Sequence, residues 1–389
     1  MISTSEAFSI LENLKYSKRV AEVQLFEALN YVLAETVYSP INMPPFRQAT
    51  MDGFAICLHD SVQYKIVGEV KAGDFFDTEL KPGQVVKIFT GAAVPISAHA
   101  VIQIEKVSVS DSNLFLDEII KPETNVRQLG AQIMKDAVAL AKDSSLNPAA
   151  IGFLTALGIT KVKVYQKPNI GIVITGNELV SAGENLPNGK VYESNSIMLK
   201  TALYNANFKA ISLHHIDDDF ENTKKTLEKV INENDIVLVS GGISVGDYDF
   251  VGKALESLNV EILFYKVNQK PGKPLLVGKQ KDKIIFALPG NPAASLTCLY
   301  IYVMPTLQRY SGINYSYGSN LKKSLAHNHA IDTTRSQFLK ASIVNDEVTI
   351  LSHQDSGMLN SFALANALVY VSEGKYQLLK GGKVSVYLI

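Results

Sequence analysis

The spacing of apolar residues along the first 160 positions predicts helical segments interrupted by a β-rich segment. Residues 5–15 and 22–37 carry apolar side chains at helical spacing, which predicts two helices. Residues 55–125 carry short apolar runs separated by Gly, Pro, Asp or Ser, which predicts a small β-domain. Residues 126–160 look helical again, with Pro148 placed near the start of the last helix. We therefore expect a helical N-terminal region with a β-rich domain inserted into it.

From residue 168 the pattern changes to buried strands, loops and helices in alternation. This alternation is typical of a parallel, doubly wound α/β sheet. The predicted strands are 170–174, 235–239 and 283–288, and the predicted helices are 195–206, 220–233, 249–257 and 292–309.

After Gly312 the chain returns to short apolar runs, which predict a C-terminal β-domain with strands at 338–344, 348–351, 367–371 and 383–389. The whole pattern therefore predicts a multidomain α/β protein. Its expected parts are a discontinuous helical region (1–50 and 126–167), an inserted β-rich domain (51–125), a central α/β domain (168–312) and a C-terminal β-domain (313–389).

Composition and charge narrow the class of protein. The chain has 389 residues, 47% of them hydrophobic, so several domains can each bury a core. The 37 Lys and Arg residues against 38 Asp and Glu argue against nucleic-acid binding through a general basic field. Apolar stretches break within about 12 residues, short of the roughly 20 that a membrane helix needs. Because the N-terminus has no secretory pattern and Cys57 and Cys298 lie far apart, we expect a cytoplasmic protein without disulfides, membrane contacts or nucleic-acid partners.

Each of the three strongest predicted strands ends in a loop rich in glycine or polar residues. In an open α/β sheet, ligands bind at the carboxyl ends of the strands, and glycine lets backbone amides approach a ligand closely. Three such loops in register favour a crevice for an anionic ligand. Their sequences are TGNEL (175–179), SGGISVGDYD (240–249) and LPGNP (288–292).

Lysines and carboxylates near these loops allow two interpretations each. Lys270 and Lys273, stiffened by prolines in KPGKP (270–274), suit an oxyanion, but they equally suit a solvated turn. Glu178 is either a ligand-facing acid or a residue of a first helical turn. Asp219 is interpreted as a helix N-cap, whereas Asp249 is either a cap or a carboxylate that holds Mg²⁺ beside a phosphate.

Nine motifs follow one another along the chain: PPFRQATMDGFA (44–55), FTGA (89–92), NVRQLG (125–130), the four segments 175–179, 240–249, 270–274 and 288–292, RSQF (335–338) and DSGM (355–358). This ordered set resembles the molybdopterin molybdotransferases, the MoeA-type family that includes the E domain of gephyrin. The resemblance covers essentially the whole chain.

The resemblance implies an enzyme that takes adenylylated molybdopterin and molybdate, releases AMP with the help of Mg²⁺ or another divalent cation, and delivers molybdenum cofactor. It implies an elongated homodimer with four domains per subunit and a cleft that uses both subunits. The central domain would be MogA/MoaB-like, the helical N-terminal region would dimerise, and the C-terminal domain would be β-barrel-like. Further partners that it implies are molybdopterin adenylyltransferase and apo-molybdoenzymes.

The resemblance also implies roles for individual residues. Glu178, Asp218 and Asp249 match catalytic positions, with Glu178 and Asp249 as metal ligands, and Asp52 matches a catalytic position supplied by the partner subunit. The matched substrate-binding positions are Thr90, Thr175, Gly176, Ser240, Gly241, Gly242, Ser244, Gly246, Pro289, Gly290, Asn291 and Pro292, and the positions matched to molybdate are Lys270, Lys273, Arg335 and Ser356.

One position departs from the family pattern. The family motif Arg-x-x-Gly-Glu-Asp ends in an acid important for activity, whereas this chain has Gln132 there. A Gln forms hydrogen bonds but neither neutralises a cation nor acts as a base. Because the other motifs are intact, we expect this chain to function without that acid.

Two other functions remain as alternatives. Adenylylation of molybdopterin would use the central domain alone, and the additional N- and C-terminal domains argue against it. A non-catalytic scaffold that binds the pterin stays open because of Gln132. For either enzyme we expect no Ser or Cys nucleophile, because cleavage of a phosphoanhydride-type bond depends mainly on charge neutralisation at phosphorus.

Overall fold

The computed structural model describes residues 1–74, 76–216, 219–243, 250–319 and 321–389. The chain divides into two compact units. The smaller unit contains residues 22–29 and 33–164, and the larger unit contains residues 1–21, 30–32 and 165–389. Within the described residues, no helix is both long and apolar enough to cross a membrane.

Eight α-helices lie within the described residues, and the helices predicted for the central region are among them. Asp219 caps α4 by accepting a hydrogen bond of 2.7 Å from the backbone of Asn222, which confirms its interpretation as an N-cap. A π-helical turn at Leu299–Val303 joins α6 to α7. The helices are α1 (Thr4–Glu12), α2 (Pro148–Ala156), α3 (Asn195–Asn205), α4 (Phe220–Glu233), α5 (Phe250–Ser257), α6 (Pro292–Cys298), α7 (Met304–Tyr310) and α8 (Leu359–Phe362).

The first twelve strands belong mostly to the smaller unit. Six of them form one sheet in the order β7-β4-β6-β5-β9-β8, which confirms the predicted β-rich insertion. The other six pair in two-stranded ladders. The strands are β1 (Val20–Gln24), β2 (Val37–Tyr38), β3 (Gln48–Ala49), β4 (Gly53–Ile56), β5 (Gln63–Val70), β6 (Gln84–Ile88), β7 (Ala100–Gln103), β8 (Val107–Ser110), β9 (Asn113–Leu116), β10 (Val126–Arg127), β11 (Val138–Leu140) and β12 (Lys161–Tyr165).

The prediction of a helix over 22–37 is wrong. This segment contains the end of β1, a 3-10 turn at Leu25–Glu27 and β2. Leu25 and Leu33 are buried as the spacing requires, but Leu29 is 42% exposed. Successive turns therefore bury nearly the same side chains that a helix would bury.

The prediction of a mostly helical segment over 126–160 holds only at its end. Within it, α2 begins with Pro148 in its first turn and Asn147 as its N-cap, as predicted. The preceding residues form β10, β11 and turns. Asp136 and Asp143 have positive φ values of 65° and 68°, which interrupt any helix.

The remaining strands lie in the larger unit, in a central six-stranded sheet, a C-terminal sheet and the two-stranded ladders β14-β15 and β23-β27. The central sheet has the order β16-β13-β17-β21-β20-β18. The strands are β13 (Ile170–Thr175), β14 (Leu179–Val180), β15 (Val191–Tyr192), β16 (Ile211–Ile216), β17 (Ile236–Ser240), β18 (Glu261–Tyr265), β19 (Gln269–Lys270), β20 (Leu276–Gln280), β21 (Lys283–Leu288), β22 (Leu321–Leu325), β23 (His329–Thr333), β24 (Ser336–Val344), β25 (Glu347–Ile350), β26 (Ala367–Val371), β27 (Gly374–Leu378) and β28 (Lys383–Leu388).

The central sheet is doubly wound but only partly parallel. Strands β16, β13, β17 and β21 are parallel, whereas β20 runs antiparallel to both of its neighbours, β21 and β18. Alternate residues of β13 face opposite layers: Ile172 packs in a core with Leu199 of α3, and Val173 packs in a core with Leu227 of α4. Strand β21 follows β20 after two residues, and a direct connection of that kind favours antiparallel pairing.

The C-terminal strands form a closed five-stranded barrel, which confirms the expected β-barrel-like domain. The strands follow the order β24-β25-β22-β28-β26, and β26 pairs with β24 to close the barrel. The short strand β19, which lies between β18 and β20 in sequence, adds to β24 in parallel: Gln269 pairs with Ser336 and Lys270 with Gln337. The barrel therefore carries one strand that comes from the central part of the chain.

Candidate functional site

A cavity of about 800 Å³ opens at the carboxyl ends of β13, β17 and β21. Residues from all three predicted loops line it, in agreement with the prediction that ligands bind at this edge of the sheet. From the predicted substrate-binding set, the lining residues are Thr175, Gly176, Ser240, Gly241, Gly242, Pro289, Gly290, Asn291 and Pro292.

The floor of the cavity depends on close contacts between the loops. Gly241 has φ +95°, and a Cβ atom there would lie 2.5 Å from the carbonyl oxygen of Thr175, so only glycine fits. The side-chain amide of Asn195 donates to the hydroxyl of Ser240 at 2.9 Å and to the carbonyl of Gly290 at 2.8 Å. Asn195 thereby ties the end of β17 to the loop after β21.

Glu178 lies in the cavity wall and is exposed. Strand β14 follows it directly, so Glu178 is not part of a first helical turn. Glu193 lines the same wall, but its carboxylate accepts a hydrogen bond of 2.9 Å from the backbone of Ser196 at the start of α3. Glu178 is therefore the better placed of these two carboxylates to face a ligand.

Two lysines also belong to the lining of the cavity. Lys273 was expected there, and Lys266 was not. Lys266 has φ +67° in the loop after β18, a conformation that the apolar pattern does not predict. Lys270 is exposed on β19 and does not belong to the described lining. The cavity thus combines backbone amides with two ammonium groups, which suits an anion.

A buried polar network supports the loop that carries Lys270 and Lys273. Gln269 has no exposed surface, and its amide donates to the carbonyl of Gly272 at 3.2 Å. The hydroxyl of Tyr302 donates to the side-chain amide oxygen of Gln269. Burial raises the pKa of the neighbouring Cys298 thiol to about 12, so this thiol stays protonated. These contacts fix the loop from beneath.

The barrel contributes a second loop at the rim of the cavity. The side-chain amide of Asn291 donates to the hydroxyl of Ser356 at 3.0 Å, and the backbone of Ala294 donates to the carbonyl of Ser356 at 3.2 Å. Arg335 precedes β24, next to the residues that pair with β19. The structure therefore brings Ser356 to the cavity rim and places Arg335 just before the strand that pairs with Lys270.

Lys340 of β24 holds the Ser356 loop from the face of the strand opposite the barrel core, which contains Leu339 and Ala341. It is 3% exposed, and its ammonium group donates to the carbonyls of His353, Asp355 and Met358 at 2.7, 3.2 and 3.1 Å. Burial lowers the pKa of Lys340 from its ordinary value. Three carbonyl acceptors compensate for removing this ammonium group from water.

Asp52 and Thr90 contact each other in the smaller unit. Both the hydroxyl and the backbone N–H of Thr90 donate to the Asp52 carboxylate at 2.7 Å. These two hydrogen bonds, the hydroxyl first, hold the pKa of Asp52 below its ordinary value. Gln132, in the same unit, is exposed, and its backbone N–H donates to the carbonyl of Met43 at 2.9 Å.

Four of the predicted site residues lie outside the described part of the chain. They are Asp218, Ser244, Gly246 and Asp249.

Family models match almost the entire chain, one after another. The MoeA N-terminal region (domain I and II) matches residues 2–158, a probable molybdopterin binding domain matches 171–309, and the MoeA C-terminal region (domain IV) matches 324–389. A central domain of this class beside a C-terminal barrel defines an enzyme of molybdenum cofactor biosynthesis. The chain belongs to the MoeA family, which confirms the resemblance seen in its motifs.

Relatives match over their whole length as well. A molybdopterin molybdenumtransferase of Haemophilus influenzae is 30% identical over 99% of this chain and 98% of its own. A putative molybdopterin biosynthesis protein of Methanocaldococcus jannaschii is 32% identical over 97% of this chain and 94% of its own. The crystal structure of the molybdopterin biosynthesis MoeA protein from Pyrococcus horikoshii superposes with a TM-score of 0.85 at 29% identity and covers 100% of both chains.

Proposed function

We propose that this chain transfers molybdenum from molybdate into adenylylated molybdopterin and releases AMP. The cavity at the ends of β13, β17 and β21 carries this proposal, because it combines glycine-rich loops with Lys266 and Lys273. Similarity to molybdenumtransferases along the whole chain supports the same activity.

The nucleotide part of the substrate would bind in the glycine-rich loops. A side chain at Gly290 would begin 3.7 Å from the Cα of Gly241, so the two loops approach each other and both present backbone groups to the cavity. The hydroxyls of Thr175 and Ser240 lie beneath them at the strand ends. Such fixed donors stabilise charge that develops on phosphate oxygens during cleavage.

Molybdate would bind nearer to the barrel. It is a tetrahedral dianion, for which Lys, Arg and hydroxyl groups form a suitable cage. Lys273 lies in the cavity wall, Ser356 contacts Asn291 at the rim, and Arg335 directly precedes β24, which pairs with Lys270. We propose that these four residues hold the oxyanion beside the pterin.

The residues of the cavity suit Mg²⁺ bound mainly through substrate phosphates. Mg²⁺ prefers oxygen ligands and often uses only one or two carboxylates. Glu178 is exposed in the cavity wall, and the side-chain oxygen of Asn195 is buried there without a hydrogen-bond partner in the described part of the chain. We propose Glu178 and Asp249 as its ligands. When bound, the ion would neutralise negative charge on the phosphate oxygens.

The proposed reaction is tested by AMP release from adenylylated molybdopterin with Mg²⁺ at increasing molybdate. We expect molybdate to stimulate release and the product to reconstitute an apo-molybdoenzyme. Glu178→Gln should lower turnover on the order of 100-fold while the protein stays folded. Glu221→Gln, an exposed residue of α4, is the matched control. Wild-type turnover by Glu178→Gln would contradict the assignment of this residue.

We also propose a homodimer in which the partner subunit supplies Asp52 and Thr90. Subunits carrying Asp52→Ala would then complement subunits carrying Glu178→Ala, because a mixed dimer keeps one intact site. Co-expression should restore a fraction of wild-type AMP release, and neither variant alone should do so. Absence of complementation from a purified mixed dimer would contradict sharing of the site.

Gln132 favours one competing function, a scaffold that binds the pterin without chemistry. The proposed transferase predicts that Gln132→Asp changes turnover by no more than about threefold, since the exposed side chain is replaced without loss of packing. Tight pterin binding without AMP release by the natural chain, with release gained by Gln132→Asp, would support the scaffold instead.

A further inference from the structure

Tyr192 is the one aromatic residue among the described residues that line the cavity. It lies on β15 in the cavity wall, and 45% of its surface is exposed. The remaining lining residues there are aliphatic, small or polar. An exposed aromatic ring in a cavity otherwise suited to anions has no role in binding phosphate or molybdate.

The ring of Tyr192 is held in place from several directions. Its hydroxyl donates to the carbonyl of Glu184 at 2.9 Å. On either side in sequence, the backbone of Val191 donates to the carbonyl of Glu178 at 3.0 Å, and that of Glu193 donates to the carbonyl of Val180 at 2.8 Å. The ring is therefore ordered before a ligand arrives, which lowers the entropy lost on binding.

The surroundings of the ring suit a flat, weakly polar group. Val191, which is 52% exposed, and Leu179, which is half-buried, pair with each other and also line the cavity, so apolar side chains as well as the ring accompany Glu178 in this lining. Aromatic side chains stack on heterocycles by their faces, and this contact accepts many heterocycles because each has a π-face.

We propose that Tyr192 is a stacking platform for a planar heterocycle of the substrate. The inference rests on the proposed function, in which the substrate has two such groups, the pterin and the adenine. Both have the same stacking chemistry, and the experiment below distinguishes them. The phosphates between the pterin and the adenine would then reach the glycine-rich loops and the two lysines that line the same cavity.

Calorimetric titration with AMP and, separately, with molybdopterin tests the proposal. Tyr192→Leu should weaken binding of the ligand that carries the stacked ring by about tenfold or more. Tyr192→Phe keeps the face of the ring and should bind within about threefold of the natural chain, since it loses only one hydrogen bond. The ligand that is weakened identifies the heterocycle.

Two controls separate stacking from a general loss of the site. Tyr204→Leu replaces a tyrosine of α3 that is 44% exposed and outside the cavity lining, and it should bind both ligands like the natural chain. Ribose 5-phosphate, which has the phosphate but no heterocycle, should bind the natural chain and Tyr192→Leu equally. A parallel loss of ribose 5-phosphate binding in Tyr192→Leu would attribute the effect to a disturbed loop and overturn the proposal.

A single-tryptophan variant gives an independent readout. The chain has no tryptophan, so Tyr192→Trp introduces one indole whose fluorescence reports directly on contact with a ring. Stacking predicts a saturable change with AMP or molybdopterin that ribose 5-phosphate does not produce. Unchanged affinities of Tyr192→Leu for both ligands would overturn the inference alone, whereas a natural chain that binds neither ligand would overturn the proposed function together with it.

Discussion

The side-chain amide of Asn291 donates a hydrogen bond of 3.0 Å to the hydroxyl of Ser356. Asn291 belongs to the loop between β21 and α6, and Ser356 belongs to a loop of the C-terminal barrel. A residue predicted to bind the pterin nucleotide thus touches a residue predicted to bind molybdate. This contact places the two proposed ligand positions side by side.

The Asn291–Ser356 hydrogen bond predicts energetic coupling between the two residues. We expect Asn291→Ala and Ser356→Ala each to raise the KM for molybdate, with a coupling of about 1 kcal/mol in the double variant. The measurement is a double-mutant cycle on kcat/KM for molybdate-dependent AMP release. The backbone bond from Ala294 to Ser356 remains in all variants, so the loop stays attached. Strictly additive effects would contradict the coupling.

Lys340 predicts a positioning role for a buried ammonium group. Lys340→Met should lower the free energy of unfolding by about 2 kcal/mol, because three carbonyls lose their donor, and should raise the KM for molybdate more than it lowers kcat. Lys340→Arg keeps a cationic donor and should recover part of both. Denaturant unfolding and steady-state kinetics measure the two effects.

An exposed lysine of the same barrel provides the control for Lys340. Lys322 lies on β22, and Lys322→Met should leave stability and KM close to those of the natural chain. If Lys340→Met lost stability but kept the natural KM for molybdate, Lys340 would support the barrel without positioning Ser356.

Gly272 predicts a strict steric requirement beneath the lysine loop. It has φ +90°, and a Cβ atom there would lie 2.6 Å from the Cys298 sulfur and 2.8 Å from the Gln269 amide nitrogen. Gly272→Ala should therefore destabilise the chain by about 2 kcal/mol and weaken use of molybdate, because Lys273 would shift. Gly152→Ala in α2, where a Cβ meets nothing within 4 Å, should be neutral or stabilising by up to about 1 kcal/mol. Equal unfolding midpoints for the two variants would contradict this prediction.

The Thr90–Asp52 pair predicts a defined dependence on pH. Thr90→Val removes the hydroxyl that contributes most to the lowered pKa of Asp52, so this pKa should rise toward 3.8. Because the folded pKa lies below the unfolded one, the pair stabilises the fold above the unfolded pKa, and this contribution is lost as pH falls through the folded pKa. Carbon-13 NMR of the Asp52 carboxyl measures the shift. Thr90→Ser, which keeps a hydroxyl, should titrate like the natural chain, and an unchanged pKa in Thr90→Val would refute the assigned cause.

Sequence reasoning located the cavity because its residues follow a general rule. Thr175 and Ser240 end buried strands and Gly290 lies two residues after another, and parallel strands bring their carboxyl ends to one edge of the sheet. The apolar runs at 170–174, 235–239 and 283–288 were long enough to identify three buried strands and their order along the chain. Of the C-terminal strands, β24, β25, β26 and β28 were predicted from such runs, whereas β22, β23 and β27 were not.

The missed features depend on how the chain folds back on itself. Tyr192 reaches the cavity because β15 pairs with β14. Lys266 reaches it because its own φ is positive, directly after the end of β18. Neither the pairing of β14 with β15 nor the positive φ of Lys266 can be recognised from the neighbouring residues in the sequence. Over 22–37, helical spacing was misleading because a 3-10 turn and short strands bury Leu25 and Leu33 equally well. Lys340 did leave a signal, as a charged residue inside an apolar run.

Strand β19 has a consequence for exchanging parts between relatives. Gln269 and Lys270 add to strand β24 of the barrel by pairing with Ser336 and Gln337, although they come from the central α/β segment of the chain. In a chimaera that takes all residues after Gly312 from a relative, the relative's β24 would therefore have to pair with the β19 of this chain. We expect a functional exchange of the barrel to require residues 268–274 as well, because the proposed molybdate-binding residues come from two separate stretches of the chain.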